Sequence, residues 1–350
     1  MAGRRGDGHR LIRWLWTSRR FDATLARVGL APLSGLWRSV VAVRNLAFDR
    51  GWLPVHNLPA PAVAVGNLTV GGSGKTPMAG WIAKHYLAQG KKPGILLRGY
   101  GRDEVLLHEH NVPGAVVVAN PDRVAGAALA VARGAQVLVL DDGFQRRDVG
   151  RDFNLLLVSA EAAMAVRWCL PAGPWREPIG SARRAGGLIV TRKRADAATA
   201  AAVARDLAPL IDGPVGVVHL GIRRYAGMLS GKVHPVDTLS GKRVVAASAI
   251  ADPEAFIAQT KATGAQVQAA TWRDHHDFRD EDVAWLARAA RKSDFVVLTE
   301  KDAVKLRDRW PASIPEPLVA ELVVNWELGE AEIVARLDRL HSGGQPLLSS

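Results

Sequence analysis

The chain has 350 residues, of which 48% are hydrophobic and 23% charged, and its formal net charge is +12 at pH 7. This length is enough for two domains with ordinary cores, and the composition excludes a disordered or fibrous chain. A single cysteine, Cys169, excludes an intramolecular disulfide framework and suits a reducing compartment.

The first 60 residues form a basic, amphipathic segment. They contain ten arginines against three aspartates, and leucine, valine and tryptophan recur between the arginines at roughly helical spacing. Apolar residues on one face and arginine on the other are typical of a helix in a membrane interface. We therefore predict that residues 1–60 bind an anionic membrane surface. The alternatives are a helix that covers the protein's own core, and a segment that binds nucleic acid.

The sequence predicts neither a transmembrane span nor a signal peptide. Residues 51–74 form the longest stretch without Asp, Glu, Lys or Arg, and prolines, glycines and Asn67 interrupt it. No continuous apolar region follows the N-terminal arginines. We expect a protein that associates with the membrane only peripherally.

From residue 61, short apolar runs alternate with helical patterns. Strands are predicted at 62–66, 94–97, 115–119, 137–142, 154–159 and 188–191, and a helix at 77–88. The runs are too uniformly apolar for strands with one face in water, so they favour a parallel sheet covered on both faces. The alternation predicts a doubly wound, P-loop NTPase-like α/β domain over residues 61–225.

A stretch rich in glycine, serine and proline separates this domain from a second one. We predict a linker over residues 226–242, in which a hairpin would fit, and a smaller α/β domain over residues 243–350. In that domain strands are predicted at 243–249, 294–302 and 317–324, and helices at 252–261 and near 330–340.

The segment "GNLTVGGSGKTP" lies between the first strand and the first helix of the larger domain. Its end fits the phosphate-binding pattern G-x-x-x-x-G-K-[ST], although Thr69 stands where the first glycine is expected. In such a loop the backbone N–H groups face phosphates, Lys75 reaches the β- and γ-phosphates, and the hydroxyl of Thr76 faces Mg²⁺. The candidate nucleotide-binding residues are Thr69, Val70, Gly71, Gly72, Ser73, Gly74, Lys75 and Thr76. An ordinary glycine-rich turn is the alternative, but the flanking strand and helix favour a nucleotide.

The run "VLVLDDGFQ" places Asp141 and Asp142 at the carboxyl end of a central strand. Open α/β sheets bind ligands at that edge, and P-loop enzymes hold Mg²⁺ there with an aspartate. A pair of aspartates that caps a strand end is the alternative. Beside the glycine loop, the pair predicts a magnesium site.

Three further stretches carry candidate residues. Asp103 or Glu104 is a candidate acceptor for a hydroxyl proton, whereas the nearby His108 and His110 are interpreted as solvated loop residues. Arg176 lies in a proline-bounded turn, where an arginine either clamps a phosphate or forms a surface ion pair with Glu177. The four residues 274–277, "DHHD", are candidates for a metal site or for an Asp–His pair that supports proton transfer.

Taken in order, "VGNLTVGGSGKTP", "LRGYG", "ANPDRVAGA", "LDDGFQ", "LPAGPWREP" and "LTEKDAVKL" resemble the tetraacyldisaccharide 4′-kinase family of lipid A synthesis, over about residues 30–310. The resemblance implies transfer of the γ-phosphate of ATP, with Mg²⁺, to the 4′-hydroxyl of an acylated disaccharide 1-phosphate, giving lipid IVA. It also implies a peripheral protein on the cytoplasmic face of the inner membrane in a Gram-negative bacterium. We expect no nucleic-acid partner and no obligate protein partner.

The resemblance also implies roles for single residues. Threonine is the family's usual first loop residue, so Thr69 is a family variant of the pattern. The other implied roles are a general base and its partner histidine (Asp103 and His275), a metal-binding pair (Asp141 and Asp142), arginines near the phosphates or substrate (Arg123 and Arg176), and acidic neighbours of these groups (Glu104 and Glu177). The chain departs from the family where Arg102 and Val105 flank Asp103 and Glu104, and where Arg146 replaces a histidine after "DDGFQ".

Two other classes of protein share part of this pattern. A P-loop GTPase or metallochaperone would also carry a guanine-reading N-K-x-D, and the nearest match, "TEKD" at 299–302, is poor. A nucleic-acid-binding ATPase would spread its arginines along a groove, whereas here the excess lies in the first 60 residues.

Overall fold

The computed structural model describes residues 7–18, 20–99, 101–163 and 166–342. The residues outside these ranges are 1–6 and 19 of the predicted membrane segment, 100, 164 and 165 of the predicted P-loop domain, and 343–350 of the predicted C-terminal domain.

The described chain divides into two compact units. The larger unit contains residues 8–99, 108–219 and 326–342, and the smaller unit contains residues 7, 101–107 and 220–325. The domain boundaries expected from the sequence remain a prediction.

Eleven helices and twelve strands are assigned in the described residues. In chain order, the first are α1 (Asp7–Thr17), α2 (Phe21–Asp49), β1 (Ala62–Asn67), α3 (Lys75–Ala88), β2 (Pro93–Leu97), α4 (Arg102–Asn111), β3 (Val116–Ala119), α5 (Arg123–Ala132), β4 (Val137–Asp141), β5 (Phe153–Ser159), α6 (Ala160–Ala163), β6 (Gly187–Arg192), α7 (Ala197–Leu207) and β7 (Val215–Gly227). The rest are β8 (Val233–His234), β9 (Arg243–Ser248), α8 (Pro253–Ala262), β10 (Gln266–Thr271), α9 (Asp280–Ala290), β11 (Phe295–Thr299), α10 (Glu300–Leu306), β12 (Leu318–Leu328) and α11 (Glu330–Ser342).

The larger unit is built on a parallel sheet. Its strand order is β7-β6-β5-β1-β4-β2-β3, and each neighbouring pair is parallel. Every residue of β1, β2 and β4 is buried, which explains why these segments are apolar throughout. Each fully buried Val or Leu side chain contributes about 1.5–3 kcal/mol to the stability of such a core. The predicted doubly wound, mainly parallel α/β fold is confirmed.

The strand order places the functional motifs at one edge of this sheet. β1 lies between β4 and β5, so the chain crosses from one side of β1 to the other between these two strands. In parallel sheets the carboxyl ends beside such a crossing form a ligand-binding crevice. The glycine loop follows β1, and Asp141 ends β4 in register with Val65.

The smaller unit has its own parallel strands, in the order β10-β9-β11-β12. Phe278, Leu286 and Leu298 are fully or almost fully buried in its core. The end of β7 forms an antiparallel hairpin with β8, in which Tyr225 pairs with His234. A hairpin is therefore present in the stretch that was predicted to be a linker.

The strand predicted over residues 294–302 is too long. β11 ends at Thr299, and α10 begins at Glu300. The cause is a helix cap, because the hydroxyl of Thr299 accepts a hydrogen bond from the backbone N–H of Asp302 at 3.3 Å. Such a cap satisfies one of the N–H groups that the first helical turn leaves without a partner.

The 29-residue helix α2 packs on the larger unit mainly through polar groups. Ser34 donates to the carbonyl of Cys169 at 2.8 Å, and Asn45 donates to Glu177 at 3.1 Å. The indole of Trp37 donates to the carbonyl of Arg176 at 2.8 Å. Most of the large apolar side chains of α2 are exposed instead: Phe21, Leu25, Val28, Leu33, Leu36, Trp37, Val40, Val43 and Leu46.

None of the helices described has both the length and the apolar content needed to cross a bilayer.

Candidate active site

The glycine loop between β1 and α3 has the backbone of a phosphate-binding loop. Gly71 and Gly74 have φ angles of 121° and 85°, in the left-handed region that side chains disfavour. Two hydrogen bonds tie the start of the loop to a neighbouring segment, from Val70 N–H to Pro174 O and from Arg176 N–H to Leu68 O. The sequence therefore folds here as a sharp turn between a buried strand and a helix.

The loop presents unused hydrogen-bond donors. The backbone N–H groups of Gly72, Gly74, Lys75 and Thr76 have no acceptor among the residues that the structure describes. The hydroxyl of Ser73 is buried and is likewise without a partner in the described chain. Such N–H groups at the start of a helix, where the helix dipole is positive, bind anions such as phosphate.

Asp141 is the buried carboxylate of the site. It lies beside β1, and its Oδ2 is 3.1 Å from Nε2 of His108. Burial opposes its ionisation, but the hydrogen bonds from His108 and Thr76 and the charge of Lys75 hold the pKa of Asp141 below its usual value. The carboxylate is therefore charged at neutral pH and is oriented by the imidazole.

The interpretation of His108 as a solvated loop residue is wrong. The residue lies on helix α4 and is only 1% exposed. Its partner Asp141 is 33 residues away in the sequence, so no local pattern marks the imidazole as part of the site. His108 is a site residue that sequence reasoning missed.

The carboxylate of Asp142 lies near two cationic side chains, those of Lys75 and Arg176. The φ angle of Asp142, 58°, is in the left-handed region, which aspartate tolerates better than most residues. One of its carboxylate oxygens lies 3.7 Å from Nζ of Lys75, and the other lies 3.3 Å from the guanidinium of Arg176. The two neighbouring aspartates thus have different partners, and Asp142 is the more exposed of the two.

Arg123 lies behind the two aspartates, at the first position of α5. Asp122 caps this helix, and a guanidinium nitrogen of Arg123 donates to the carbonyl of Asp141 at 3.0 Å. Burial lowers the pKa of Arg123 to about 10, so the group stays charged at neutral pH. Nε and the other terminal nitrogen have no acceptor in the described chain.

Glu177 and Arg146 have partners of their own. Glu177 is buried and lies 2.8 Å from the guanidinium of Arg184. Burial raises its pKa, but the hydrogen bond and charge of Arg184 have the larger combined effect and lower it overall. Arg146, which replaces a family histidine, binds both oxygens of Asp148 at 3.0 and 2.8 Å. Both side chains brace the polypeptide near the site.

The smaller unit contains a second charged cluster, centred on Asp103. An oxygen of Asp103 lies 3.1 Å from Nδ1 of His275 and 3.2 Å from Nζ of Lys305. Lys301 is slightly farther away, at 3.8 Å. Burial raises the pKa of Asp103, but the positive neighbours outweigh burial and lower the pKa below the usual value. Asp103 is therefore an ionised carboxylate whose backbone neighbour Glu104 donates its N–H to Oδ1 at 3.1 Å.

The proton on His275 can be placed from its two neighbours. Nζ of Lys301 lies 3.0 Å from Nε2 of His275. A lysine ammonium only donates, so this contact leaves Nε2 as the acceptor and assigns the proton to Nδ1, which faces Asp103. The arrangement gives Asp103 a hydrogen bond from Nδ1–H of His275, at 3.3 Å.

The "DHHD" cluster divides between two partners. His275 faces Asp103, whereas His276 lies 2.8 Å from Asp282 on α9. Within the described ranges, no group of three or more His, Cys, Asp or Glu side chains is arranged to hold a metal ion. The geometry thus favours the Asp–His pair over the metal site at this position.

The structure therefore groups the predicted residues into two sets. The larger unit brings together the loop residues 69–76, Asp141, Asp142, Arg123 and Arg176. The smaller unit brings together Asp103 and His275. Sequence reasoning missed Lys301 and Lys305 as members of the second set, although both occur in the quoted motif "LTEKDAVKL".

The comparisons with known proteins agree with this geometry. The family model described as tetraacyldisaccharide-1-P 4′-kinase matches residues 26–341. A tetraacyldisaccharide 4′-kinase of Xanthomonas campestris is 34% identical over 338 residues, covering 89% of this chain and 92% of the relative. One of Geobacter sulfurreducens is 32% identical over 345 residues, covering 91% and 94%.

A solved structure is similar over nearly the same length. The crystal structure of LpxK from Aquifex aeolicus in complex with ATP has a TM-score of 0.70 and 27% identity, and covers 90% of this chain and 99% of that one. The comparisons do not favour a GTPase, a metallochaperone or a nucleic-acid-binding ATPase. The resemblance inferred from the motifs is confirmed, and the chain belongs to the tetraacyldisaccharide-1-P 4′-kinase family.

Proposed function

We propose that this chain transfers the γ-phosphate of ATP to the 4′-hydroxyl of an acylated disaccharide 1-phosphate and so produces lipid IVA. The observation that carries the proposal is the set of unused N–H groups of the glycine loop beside Lys75 and two ionisable aspartates, in a member of this kinase family. The residue roles proposed below are supported by the geometry within each unit.

The larger unit binds the nucleotide. The loop N–H groups and the ammonium of Lys75 face the phosphates, and Lys75 exchanges its contact with Asp142 for a phosphate oxygen. Arg176 and Arg123 add positive charge near the carboxylates. Fixed donors of this kind stabilise the charge that spreads over the phosphoryl oxygens in the transition state, which is the main source of rate in such reactions.

The donor set beside the loop fits Mg²⁺. The hydroxyl of Thr76 and the carboxylates of Asp141 and Asp142 are hard oxygen ligands, the type that Mg²⁺ prefers. The hydroxyl of Thr76 helps to lower the pKa of Asp141, so the two groups lie close together. When bound, the ion would neutralise negative charge on the phosphates. His108 would keep the Asp141 carboxylate oriented.

Asp103 accepts the proton of the sugar hydroxyl. As the bond from the 4′-oxygen to the γ-phosphorus forms, the bond from that phosphorus to the β,γ-bridging oxygen breaks, and ADP leaves. The hydroxyl proton moves to the carboxylate of Asp103, which is ionised at neutral pH. His275 orients that carboxylate through Nδ1–H.

Helix α2 attaches the enzyme to the membrane that holds its acylated substrate. Ser34 and the indole N–H of Trp37 bond to the protein, whereas most of the helix's large apolar side chains are exposed, unlike those of a helix that covers a core. Exposed apolar patches of this extent mark interaction surfaces, and exposed arginines of the segment, such as Arg38 and Arg50, add about 1 kcal/mol each near anionic lipid. We place the enzyme on the cytoplasmic face of the inner membrane.

Vesicle binding tests the membrane proposal. The triple variant Leu36→Ser, Val40→Ser, Val43→Ser should lose co-sedimentation with vesicles that contain anionic lipid, because three exposed apolar side chains no longer enter the interface. The same substitutions should leave ATP binding unchanged. Unaltered vesicle binding of the variant would contradict the role of α2.

A transfer assay tests the reaction. The purified chain is incubated with Mg²⁺, ATP labelled in its γ-phosphate and an acylated disaccharide 1-phosphate, and the product is mapped. Label on the 4′-oxygen is expected, and GTP should support less transfer than ATP. Release of labelled phosphate to water, with no labelled lipid, would overturn the proposal.

A further inference from the structure

We propose that Lys193 and Thr191 are positioning residues that hold the phosphate loop from outside by its carbonyl groups. The proposal rests on the proposed function, because it concerns the same loop, and it assigns roles to two residues that no motif of the sequence indicated. Thr191 lies at the end of β6, and Lys193 follows just after it. Both residues and the loop belong to the larger unit.

The contacts are direct. Nζ of Lys193 donates to the carbonyl of Gly72 at 2.9 Å. The hydroxyl of Thr191, which is 1% exposed, donates to the carbonyl of Ser73 at 3.0 Å. Two consecutive carbonyls of the loop are therefore held by side chains of one neighbouring strand end.

These contacts determine which way the loop's N–H groups point. In a trans peptide unit, the carbonyl of one residue and the N–H of the next point in opposite directions. When Thr191 holds the carbonyl of Ser73, the N–H of Gly74 must point the other way, and it is one of the unused donors of the loop. The contact of Lys193 with the carbonyl of Gly72 fixes the preceding peptide unit, which joins Gly72 to Ser73.

The strand end that supplies these donors is itself fixed. One carboxylate oxygen of Glu161 accepts hydrogen bonds from the backbone N–H groups of Lys193 and Arg194, both at 2.7 Å, and of Ala195, at 3.1 Å. The other oxygen accepts from the hydroxyl of Ser159 at 2.8 Å. The side chain of Lys193 thus extends from a rigid backbone.

A glycine-rich loop needs external contacts of this kind. Gly71 and Gly74 give the loop the positive φ angles it requires, but glycine also has the largest backbone entropy to lose on ordering. If the loop is already ordered in the free enzyme, ATP does not have to order it on binding. Lys193 and Thr191 therefore act through the loop and touch neither the phosphates nor the sugar in this proposal.

The test compares Lys193→Met and Thr191→Val with the matched control Arg194→Met. Arg194 lies in the same turn, and its side chain is exposed. Lys193 holds the peptide unit that carries the N–H of Ser73, and this N–H bonds to the carbonyl of Gly71. In the nucleotide-free protein, hydrogen exchange of the Ser73 amide should therefore be about 10-fold faster in Lys193→Met, because the lost bond involves a charged donor. Calorimetry should show ATP binding weaker by about the same factor. Thr191→Val should change both quantities in the same direction, and Arg194→Met should change neither.

The outcomes separate this proposal from the proposed function. Wild-type exchange of the Ser73 amide and wild-type ATP affinity in Lys193→Met would overturn the positioning role. A loss of transfer without faster exchange would also overturn it, because the lysine would then act on the reaction directly. If the wild-type chain shows no transfer to the lipid acceptor, while Lys193→Met still shows faster exchange and weaker ATP binding, the proposed function fails and the positioning role stands.

Discussion

The two charged clusters of the molecule are built in opposite ways. In the larger unit, the loop cluster consists of backbone N–H groups of consecutive residues, and those of Gly72, Gly74, Lys75 and Thr76 are unused in the described chain. In the smaller unit, Asp103 is held by side chains from separate segments, and its carboxylate is already surrounded by His275, Lys301 and Lys305. The loop cluster offers hydrogen-bond donors to a bound anion, whereas the second cluster keeps the carboxylate of Asp103 ionised.

This difference indicates that the two clusters have different functions. Unused donors bind a phosphate chain because they are not satisfied within the protein. An ionised, oriented carboxylate accepts a proton but contributes no attraction to ATP. Substitutions in the two clusters should therefore separate nucleotide binding from the transfer step.

The largest effect is expected for Lys75→Ala. Removing the ammonium should lower kcat/KM by about 10³–10⁵-fold, because such cations stabilise the transferring phosphoryl group. Steady-state kinetics with labelled ATP measures the loss, and circular dichroism checks that the fold is intact. Lys84→Ala, an exposed position on the same helix, is the control and should be fully active. A Lys75→Ala enzyme that kept most of its activity would remove the loop from the mechanism.

Asp103→Asn should reduce kcat by about 10²–10⁴-fold, the usual contribution of a positioned base. The KM for ATP should change little, because Asp103 belongs to the other cluster. Kinetics at saturating acceptor separates the two constants. Equal losses in kcat and in the KM for ATP would assign Asp103 to binding instead.

Lys305→Met should move the acid limb of the pH–rate profile. The positive neighbours hold the pKa of Asp103 below its usual value, so removing one of them raises that pKa. Activity should then be lost at a higher pH than in the wild type as the solution is acidified. Lys292→Met, an exposed position in the same unit, should leave the profile unchanged. A profile of Lys305→Met that matched the wild type would show that Lys305 does not act on Asp103.

Glu161→Gln should have the smallest effect, on stability. Three backbone N–H groups lower the pKa of Glu161 to about 2 in spite of its burial. A lowered carboxylate pKa stabilises the fold above pH 4.5, and this contribution is lost as the pH falls from 4.5 toward 2. The variant should therefore be less stable by about 1–3 kcal/mol at pH 7.

Urea unfolding at several pH values checks the Glu161 prediction. The difference between Glu161→Gln and the wild type should shrink as the pH approaches 2. Glu109→Gln, at an exposed position, is the control and should match the wild type throughout. A destabilisation of Glu161→Gln that is independent of pH would mean that its carboxylate charge contributes nothing.

The sequence predicted the sheet of the larger unit well because its strands carry a local signal. β1, β2 and β4 are buried on both faces, so their runs are apolar throughout and could be located to within a residue or two. β7 and β10 were not predicted, because β7 mixes buried and exposed residues and β10 is largely exposed. The predicted end of β11 was wrong because Thr299, the last residue of the strand, also caps the helix that starts at Glu300.

The residues of the candidate site also differ in how clearly the local sequence indicates them. The phosphate loop and the two aspartates are contiguous motifs, so the residue pattern alone indicated them. His275 is 172 residues from Asp103, and its pairing was available only from the family resemblance. His108 and Lys193 had no local signal at all, because each acts through one contact with a distant part of the chain.

The variant Asp103→Asn tests most directly whether the two clusters have different functions. The same sample is titrated calorimetrically with ATP and Mg²⁺ and then used in a transfer assay. The account predicts ATP affinity within about twofold of the wild type and transfer reduced by at least about 100-fold. ATP affinity that falls in parallel with transfer would contradict it.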